Sequence, residues 1–125
     1  MSSESRHQLR FERVQSLFAW GFQPENSLEE QFDGIREIIG HLSEIDVIIF
    51  KYAPRRTMDQ FDKVDLAILR QALYELMYTS TPPAVVINEA IEIAKTLADQ
   101  SSAGFIHGVL ASYVDETKEG PAHES

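Results

Sequence analysis

The chain has 125 residues, a formal net charge of −9 and no cysteine. This length is typical of one domain, and an apolar fraction of 43% indicates a globular rather than a disordered protein. The lack of cysteine excludes disulfides, thiolate metal sites and cysteine nucleophiles. The acidic balance excludes a large, undirected nucleic-acid surface, because phosphates would be repelled. No apolar run approaches the roughly 20 residues that span a bilayer, and no signal-like segment is visible, so we expect a cytoplasmic protein.

The first predicted helix covers residues 4–20 and ends at Gly21 and Pro24, which are helix-stopping residues. Two neighbouring stripes recur along it at helical spacing, one apolar and one basic. The apolar stripe contains Phe11, Val14 and Phe18, and the basic stripe contains Arg6, Arg10 and Arg13.

A second predicted helix opens at Ser27. Together with Glu30, this residue forms the pattern S-x-x-E, in which both side chains accept backbone N–H groups at a helix start. The helix runs on, or restarts near Ser43. It stops at about Tyr52, because the residue before Pro54 is disfavoured in helical geometry.

The next segments predict the centre of the fold. After a short helix at 57–61 capped by Thr57, residues 62–79 are apolar around most of the helical circumference. Such a pattern indicates a central, buried helix. Thr81 is expected to cap the following helix, with Pro82 in its first turn, where the missing N–H has no cost.

The last predicted helix follows a polar loop, with Ser101 or Ser102 as its cap and Phe105 in its first turn. No alternating strand pattern competes with these helices. The sequence therefore predicts an all-α fold, a compact bundle of six to seven helices. We expect one domain over residues 1–118 and a flexible C-terminal tail over residues 119–125.

The polar residues include one possible carboxylate pair and four histidines. Glu89 and Glu92 are spaced as a carboxylate pair, but a solvated helix face supported by Lys95 accounts for them better. The four histidines lie on separate segments without metal-ligand spacing. We therefore predict no enzyme activity, no metal and no cofactor.

The basic stripe of the first helix and Phe105 are the candidate RNA-binding features. Cations near a helix N-terminus oppose its macrodipole, so their presence suggests a use for the charge. RNA contact is one use, and an ordinary basic helix start is the alternative. An aromatic ring at a helix tip is either part of the core or a platform for an unpaired base.

Four segments together resemble the NusB family of bacterial transcription antitermination factors. They are RVQSLFAW (13–20), VDLAILRQALYEL (64–76), VINEAIEIAKTLA (86–98) and FIHGVL (105–110). The resemblance implies an all-helical fold of two packed subdomains. It also implies binding of boxA, a single-stranded RNA element, with the ribosomal protein NusE, in the RNA polymerase antitermination complex on ribosomal RNA operons. It implies no catalysis.

The resemblance also assigns residues. The RNA-binding positions that it implies are Arg6, His7, Arg10, Phe18 and Phe105. Asp65 corresponds to an acidic partner-binding position at the NusE and RNA edge. On the helix at 86–98, Asn88 is expected to form a hydrogen bond with a neighbouring helix, while Glu89 and Glu92 face water.

Two departures from the family pattern weaken the expected RNA affinity. Gly104 replaces a lysine, and His107 replaces an asparagine. Each lost phosphate contact removes roughly 0.7 from the single-strand salt slope. The alternatives are therefore a protein–protein module that has lost RNA binding, and a detached RNA-binding domain of an rRNA methyltransferase-type protein. The sequence leaves open whether two copies form a homodimer.

Overall fold

The computed structural model describes residues 2–53, 57 and 60–124, with side chains described up to residue 117. Over these ranges the chain is helical, with no strand. The α-helices are α1 (Ser3–Trp20), α2 (Arg36–Gly40), α3 (Leu42–Tyr52), α4 (Lys63–Tyr78), α5 (Pro83–Leu97) and α6 (Gln100–Glu124). Two 3-10 segments, Pro24–Asn26 and Glu30–Ile35, lie between α1 and α2. The predicted all-α bundle is confirmed.

Helix α4 is the centre of the bundle. Every residue from 65 to 75 is buried, as the apolar circumference of this segment predicts. It packs against α1 on one side and against α5 and α6 on another, while α3 contacts both α4 and α6. The helix therefore joins the N-terminal half of the molecule to the C-terminal half.

The predicted helix from Ser27 to Tyr52 is interrupted. A 3-10 segment precedes α2, and the helical backbone is then interrupted at His41 before α3 begins. The restart near Ser43 and the end at Tyr52 are confirmed. The predicted short helix at 57–61 falls partly outside the described residues. The division into a domain at 1–118 and a flexible tail stays a prediction.

The capping box predicted at Ser27 is wrong. Its hydroxyl accepts a hydrogen bond from Trp20 Nε1 at 2.7 Å and donates one to the Pro24 carbonyl at 2.6 Å. The second 3-10 segment begins at Glu30 without a side-chain cap. The indole of Trp20 therefore competes successfully for the serine oxygen that a cap would require.

Two further caps are also wrong. Thr81 Oγ1 donates to the Glu75 carboxylate at 3.3 Å, and α5 begins at Pro83 with no side-chain cap. At α6, Asp99 Oδ1 accepts from the Ser102 backbone N–H at 2.8 Å, so an aspartate rather than a serine caps the helix. Thr81 does not cap α5 because its hydroxyl donates to Glu75. Neither serine caps α6 because this helix begins earlier in the chain than the sequence predicts.

Candidate nucleic-acid interface

Arg10 was predicted to bind RNA, but the structure buries it. Its guanidinium forms a bidentate ion pair with Glu75, with Nε–Oε2 at 2.7 Å and Nη2–Oε1 at 3.0 Å. Hydrogen bonding to Glu75 raises the pKa of Arg10, against the opposing effect of burial. The side chain thus joins α1 to α4 and presents little charge to solvent. This placement favours a structural role, and the predicted RNA contact of Arg10 stays a prediction.

Further hydrogen bonds support the Arg10–Glu75 pair. Gln71 Nε2 donates to Glu75 Oε2 at 3.1 Å, and the Thr81 hydroxyl donates to Glu75 Oε1. A buried ion pair is favourable only when additional hydrogen bonds satisfy its remaining polar atoms. The carboxylate of Glu75 meets this condition, since three side chains donate to it.

His7, a predicted RNA contact, packs instead against α5. Its Nδ1 contacts the Glu89 carboxylate, and both side chains are partly exposed. The prediction that Glu89 faces water holds only in part, because its side chain is 25% exposed and contacts His7, whereas Glu92 is exposed as predicted. Asn88 is also exposed and has no hydrogen bond with another described residue, so its predicted bond to a neighbouring helix is wrong. Arg6 lies exposed one residue before His7.

Phe18, near the end of α1, is exposed and packs against the ring of Phe22. Its ring packs edge-to-face against Phe22, with centroids 5.1 Å apart, and the Phe22 ring is 55% exposed. The Lys63 ammonium lies 5.0 Å from the centre of the Phe22 ring. This distance is within the range of a cation–π interaction.

A cavity of about 470 Å³ opens beside these rings, between α1, α4 and the segment that follows α1. We call it the aromatic groove. None of the described residues that line it is a carboxylate, and its walls include three aromatic and two cationic side chains: Phe18, Trp20, Phe61, Lys63 and Arg70. Arg70 forms an ion pair with Asp46 at 2.9 Å and lies 5.9 Å from the Trp20 ring centre. The groove therefore combines flat rings with the charge of Lys63, whereas the charge of Arg70 is balanced by Asp46.

Phe105 connects to the aromatic groove through Phe61. The two ring centroids lie 6.1 Å apart, and Phe61 is buried while it lines the groove. Phe105 itself is half-buried, in the second turn of α6 rather than the first. The structure thus brings Phe18 and Phe105 to one region of the molecule, whereas Arg10 is held in the interior.

Asp65, the predicted partner-binding residue, is only 5% exposed. It lies in the first turn of α4, where its backbone N–H donates to the capping carboxylate of Asp62 at 3.2 Å. The side chain therefore has little accessible surface at the start of α4. The partner-binding role of Asp65 stays a prediction.

Sequence reasoning missed two residues of this region, Phe22 and Lys63. They are separated by 41 positions in the chain, and only folding brings the ammonium over the ring. Only one feature of the sequence indicates that Phe22 is exposed. This residue directly follows Gly21, where the first helix ends, so no further turn of that helix follows to shield its ring from solvent.

Among the residues that the structure describes, no three His, Asp or Glu side chains are grouped so as to hold a metal ion. In the same part of the chain, no helix combines the length and apolar character needed to cross a membrane.

The model of the NusB family matches residues 25–115, which is most of the chain. The chain belongs to the NusB family. The resemblance drawn from the four sequence segments is therefore confirmed, and the family model covers three of them in full, all but residues 13–20.

Several NusB-family relatives are similar to the chain in sequence. The transcription antitermination protein NusB of Nitratiruptor sp. is 44% identical over 82 residues, which are 66% of this chain and 59% of that relative. The protein of the same name from Lysinibacillus sphaericus is 34% identical over 126 residues, covering 89% of this chain and 98% of the relative. The chain thus spans under two thirds of the first relative and nearly all of the second.

Two solved structures share the NusB fold with this chain. T. maritima NusB has a TM-score of 0.76 and 32% identity, covering 89% of this chain and 91% of that one. A chain from the crystal structure of a plectonemic RNA supercoil has a TM-score of 0.79, with 92% and 97% coverage. Its identity of 22% makes this second likeness one of fold alone.

Proposed function

We propose that this NusB-family protein is an RNA-binding transcription antitermination adaptor. It binds boxA-type single-stranded RNA together with the ribosomal protein NusE, within the RNA polymerase antitermination complex on ribosomal RNA operons. Its relatives carry the name transcription antitermination protein. The observation that carries the proposal is the aromatic groove, where aromatic rings lie beside the ammonium of Lys63 and no described side chain of the wall is a carboxylate, on a chain of net charge −9.

The chemistry of the aromatic groove suits an unpaired nucleotide. Every base has a flat face, and stacking on an aromatic side chain contributes about 1–3 kcal/mol per base. The exposed rings of Phe18 and Phe22 offer such faces, and the ammonium of Lys63 lies close enough to attract a phosphate. A double helix keeps its bases stacked inside, so this arrangement favours a single strand.

We therefore propose that RNA contacts the aromatic groove more than the basic stripe of α1. Arg6 remains as an exposed cation at the N-terminal end of α1, and Phe105 supports the wall of the groove through Phe61. With Arg10 in the interior, few phosphate contacts are left. We therefore propose that NusE supplies additional contacts, since joint binding raises the effective concentration of the RNA at the weaker site.

Binding of a boxA oligonucleotide, measured with and without NusE, tests this proposal. Phe22→Ala and Lys63→Ala are expected to weaken binding, by about 5- to 150-fold for the aromatic ring, which corresponds to about 1–3 kcal/mol of stacking. Leu28→Ala is the matched control, because Leu28 is 86% exposed and lies outside the groove. Phe22 itself lies at the edge of the groove, against the lining residue Phe18. Equal affinity of wild type, Phe22→Ala and Lys63→Ala would disprove the assignment.

A second candidate is a protein–protein module of the same fold with weak or lost RNA binding. The burial of Arg10 favours it, because this residue is one of the few cations at the N-terminus. Tight binding of NusE with no gain in RNA affinity over NusE alone would support this function over the first.

A further inference from the structure

Gln71 has a buried oxygen without a partner. The residue is 2% exposed, and its Nε2 donates to Glu75, but its Oε1 has no hydrogen bond. A buried carbonyl oxygen without a hydrogen-bond partner is unfavourable, because it loses its bound water on folding and gains no hydrogen bond in return. Native proteins commonly satisfy such atoms with an ordered water molecule.

A small cavity lies beside this oxygen, where α1, α4 and α5 meet. Its volume of about 10 Å³ is near the minimum that one water requires and is too small for a larger ligand. Four polar side chains contribute to its walls: Arg10, Gln71, Glu75 and Glu89. A bound water needs two to four polar partners, and this set provides them.

We propose that one water molecule is a bound, structural component of this cavity. It donates hydrogen bonds to Gln71 Oε1 and to the Glu89 carboxylate, and it accepts one from Arg10. The Nη1 group of Arg10 is suited to this role, because the pair with Glu75 uses only Nε and Nη2. The charge of Glu89 also acts on Arg10, which indicates that the two groups are close.

The water connects two polar side-chain contacts that α1 makes with two different helices. Arg10–Glu75 joins α1 to α4 in the interior, and His7–Glu89 joins α1 to α5 near the surface. With the water between them, the three helices share one hydrogen-bonded network. Because α1 also carries Phe18, this network fixes the orientation of the helix that forms one wall of the aromatic groove.

The water is tested directly on the unmodified protein by oxygen-17 magnetic relaxation dispersion, which counts water molecules that stay bound longer than the protein takes to tumble. The wild type is expected to hold one more such water than Gln71→Met, which removes the acceptor at similar side-chain length. Gln15→Met is the matched control, because Gln15 is exposed on α1. It should retain the wild-type count.

A crystal structure of the wild type at high resolution provides the second measurement, and it does not depend on how the variant folds. Density for a water within hydrogen-bond distance of Gln71 Oε1 is the expected result. An empty cavity in that structure, or equal counts for wild type and Gln71→Met, would overturn the proposal.

Discussion

The guanidinium of Arg10 on α1 and the carboxylate of Glu75 on α4 form a bidentate pair in which each side chain is 8% exposed. The two residues are 65 positions apart in the sequence, and their pairing places a residue of the basic stripe in the protein interior. Its energetic consequence follows from burial, since a charge left alone in this environment has neither water nor a counter-ion.

Arg10→Ala is therefore expected to lower the free energy of unfolding by about 3–5 kcal/mol, because Glu75 keeps a buried, uncompensated charge. Urea denaturation followed by circular dichroism measures this loss. The double variant Arg10→Met/Glu75→Leu should recover most of it, since apolar residues of similar volume can replace a buried pair. A loss below about 1 kcal/mol for Arg10→Ala would be typical of a surface pair and would contradict the burial.

The pair of His7 and Glu89 should behave differently. Both side chains are partly exposed, so solvent screens their interaction. We expect His7→Ala to lower the free energy of unfolding by less than about 1 kcal/mol near neutral pH. The same urea measurement, run beside Arg10→Ala, gives the comparison. Equal losses for the two variants would show that the N-terminal turns of α1 are held more tightly than this geometry indicates.

Salt dependence distinguishes the two kinds of contact proposed at the aromatic groove, where Lys63 lines the wall and Phe22 packs on Phe18 at the edge. Lys63→Ala should reduce the slope of log K against log salt by about 0.7, because one phosphate contact is lost. Phe22→Ala should lower the affinity without changing that slope, because stacking releases no counterions. Titrations with a boxA oligonucleotide at several salt concentrations provide both numbers.

Lys95→Ala is the control for this experiment. It removes the same charge from an exposed position on α5 that does not line the aromatic groove. Its slope should stay at the wild-type value. If Lys63→Ala and Lys95→Ala change the slope equally, the RNA responds to net charge and not to the groove.

Tyr52 gives a pH prediction. Burial, together with the hydrogen bond to Glu116, raises its pKa to about 12. The folded protein then holds this proton where the unfolded chain, with a pKa of about 10, releases it. The contribution to stability is complete below pH of about 10 and is lost as the pH rises towards 12.

The ultraviolet absorbance of tyrosinate, compared between wild type and Tyr52→Phe, isolates the titration of this residue. Glu116→Gln should shift it to lower pH, because the carboxylate accepts a hydrogen bond from the phenol O–H and repels the phenolate. An unchanged titration in Glu116→Gln would assign the whole rise in the pKa to burial.

The sequence was sufficient for features that depend on local pattern. The apolar circumference of residues 62–79 predicts the burial of α4, and Pro54 predicts the end of α3 at Tyr52. These features follow from helical periodicity and from the backbone preference before proline. Neither requires knowledge of which helices are neighbours.

Features that depend on distant partners could not be predicted in this way. Ser27 and Thr81 have good capping chemistry, but Trp20 and Glu75 bind their hydroxyl groups. Arg10 has the spacing of a surface cation, yet its counter-ion on α4 draws it inside. In each case, a tertiary hydrogen bond overrides the local preference.

The enclosure of α4 has a consequence for motion. Its amide hydrogens at 65–75 are covered by α1, α3, α5 and α6, so they can exchange with solvent only when these helices separate. Slow exchange of this kind reports the opening of the whole molecule rather than fraying of one element. Lys63, at the start of α4, is therefore attached to a helix with little local motion. The residues of α4 that line the aromatic groove keep their positions until the protein unfolds.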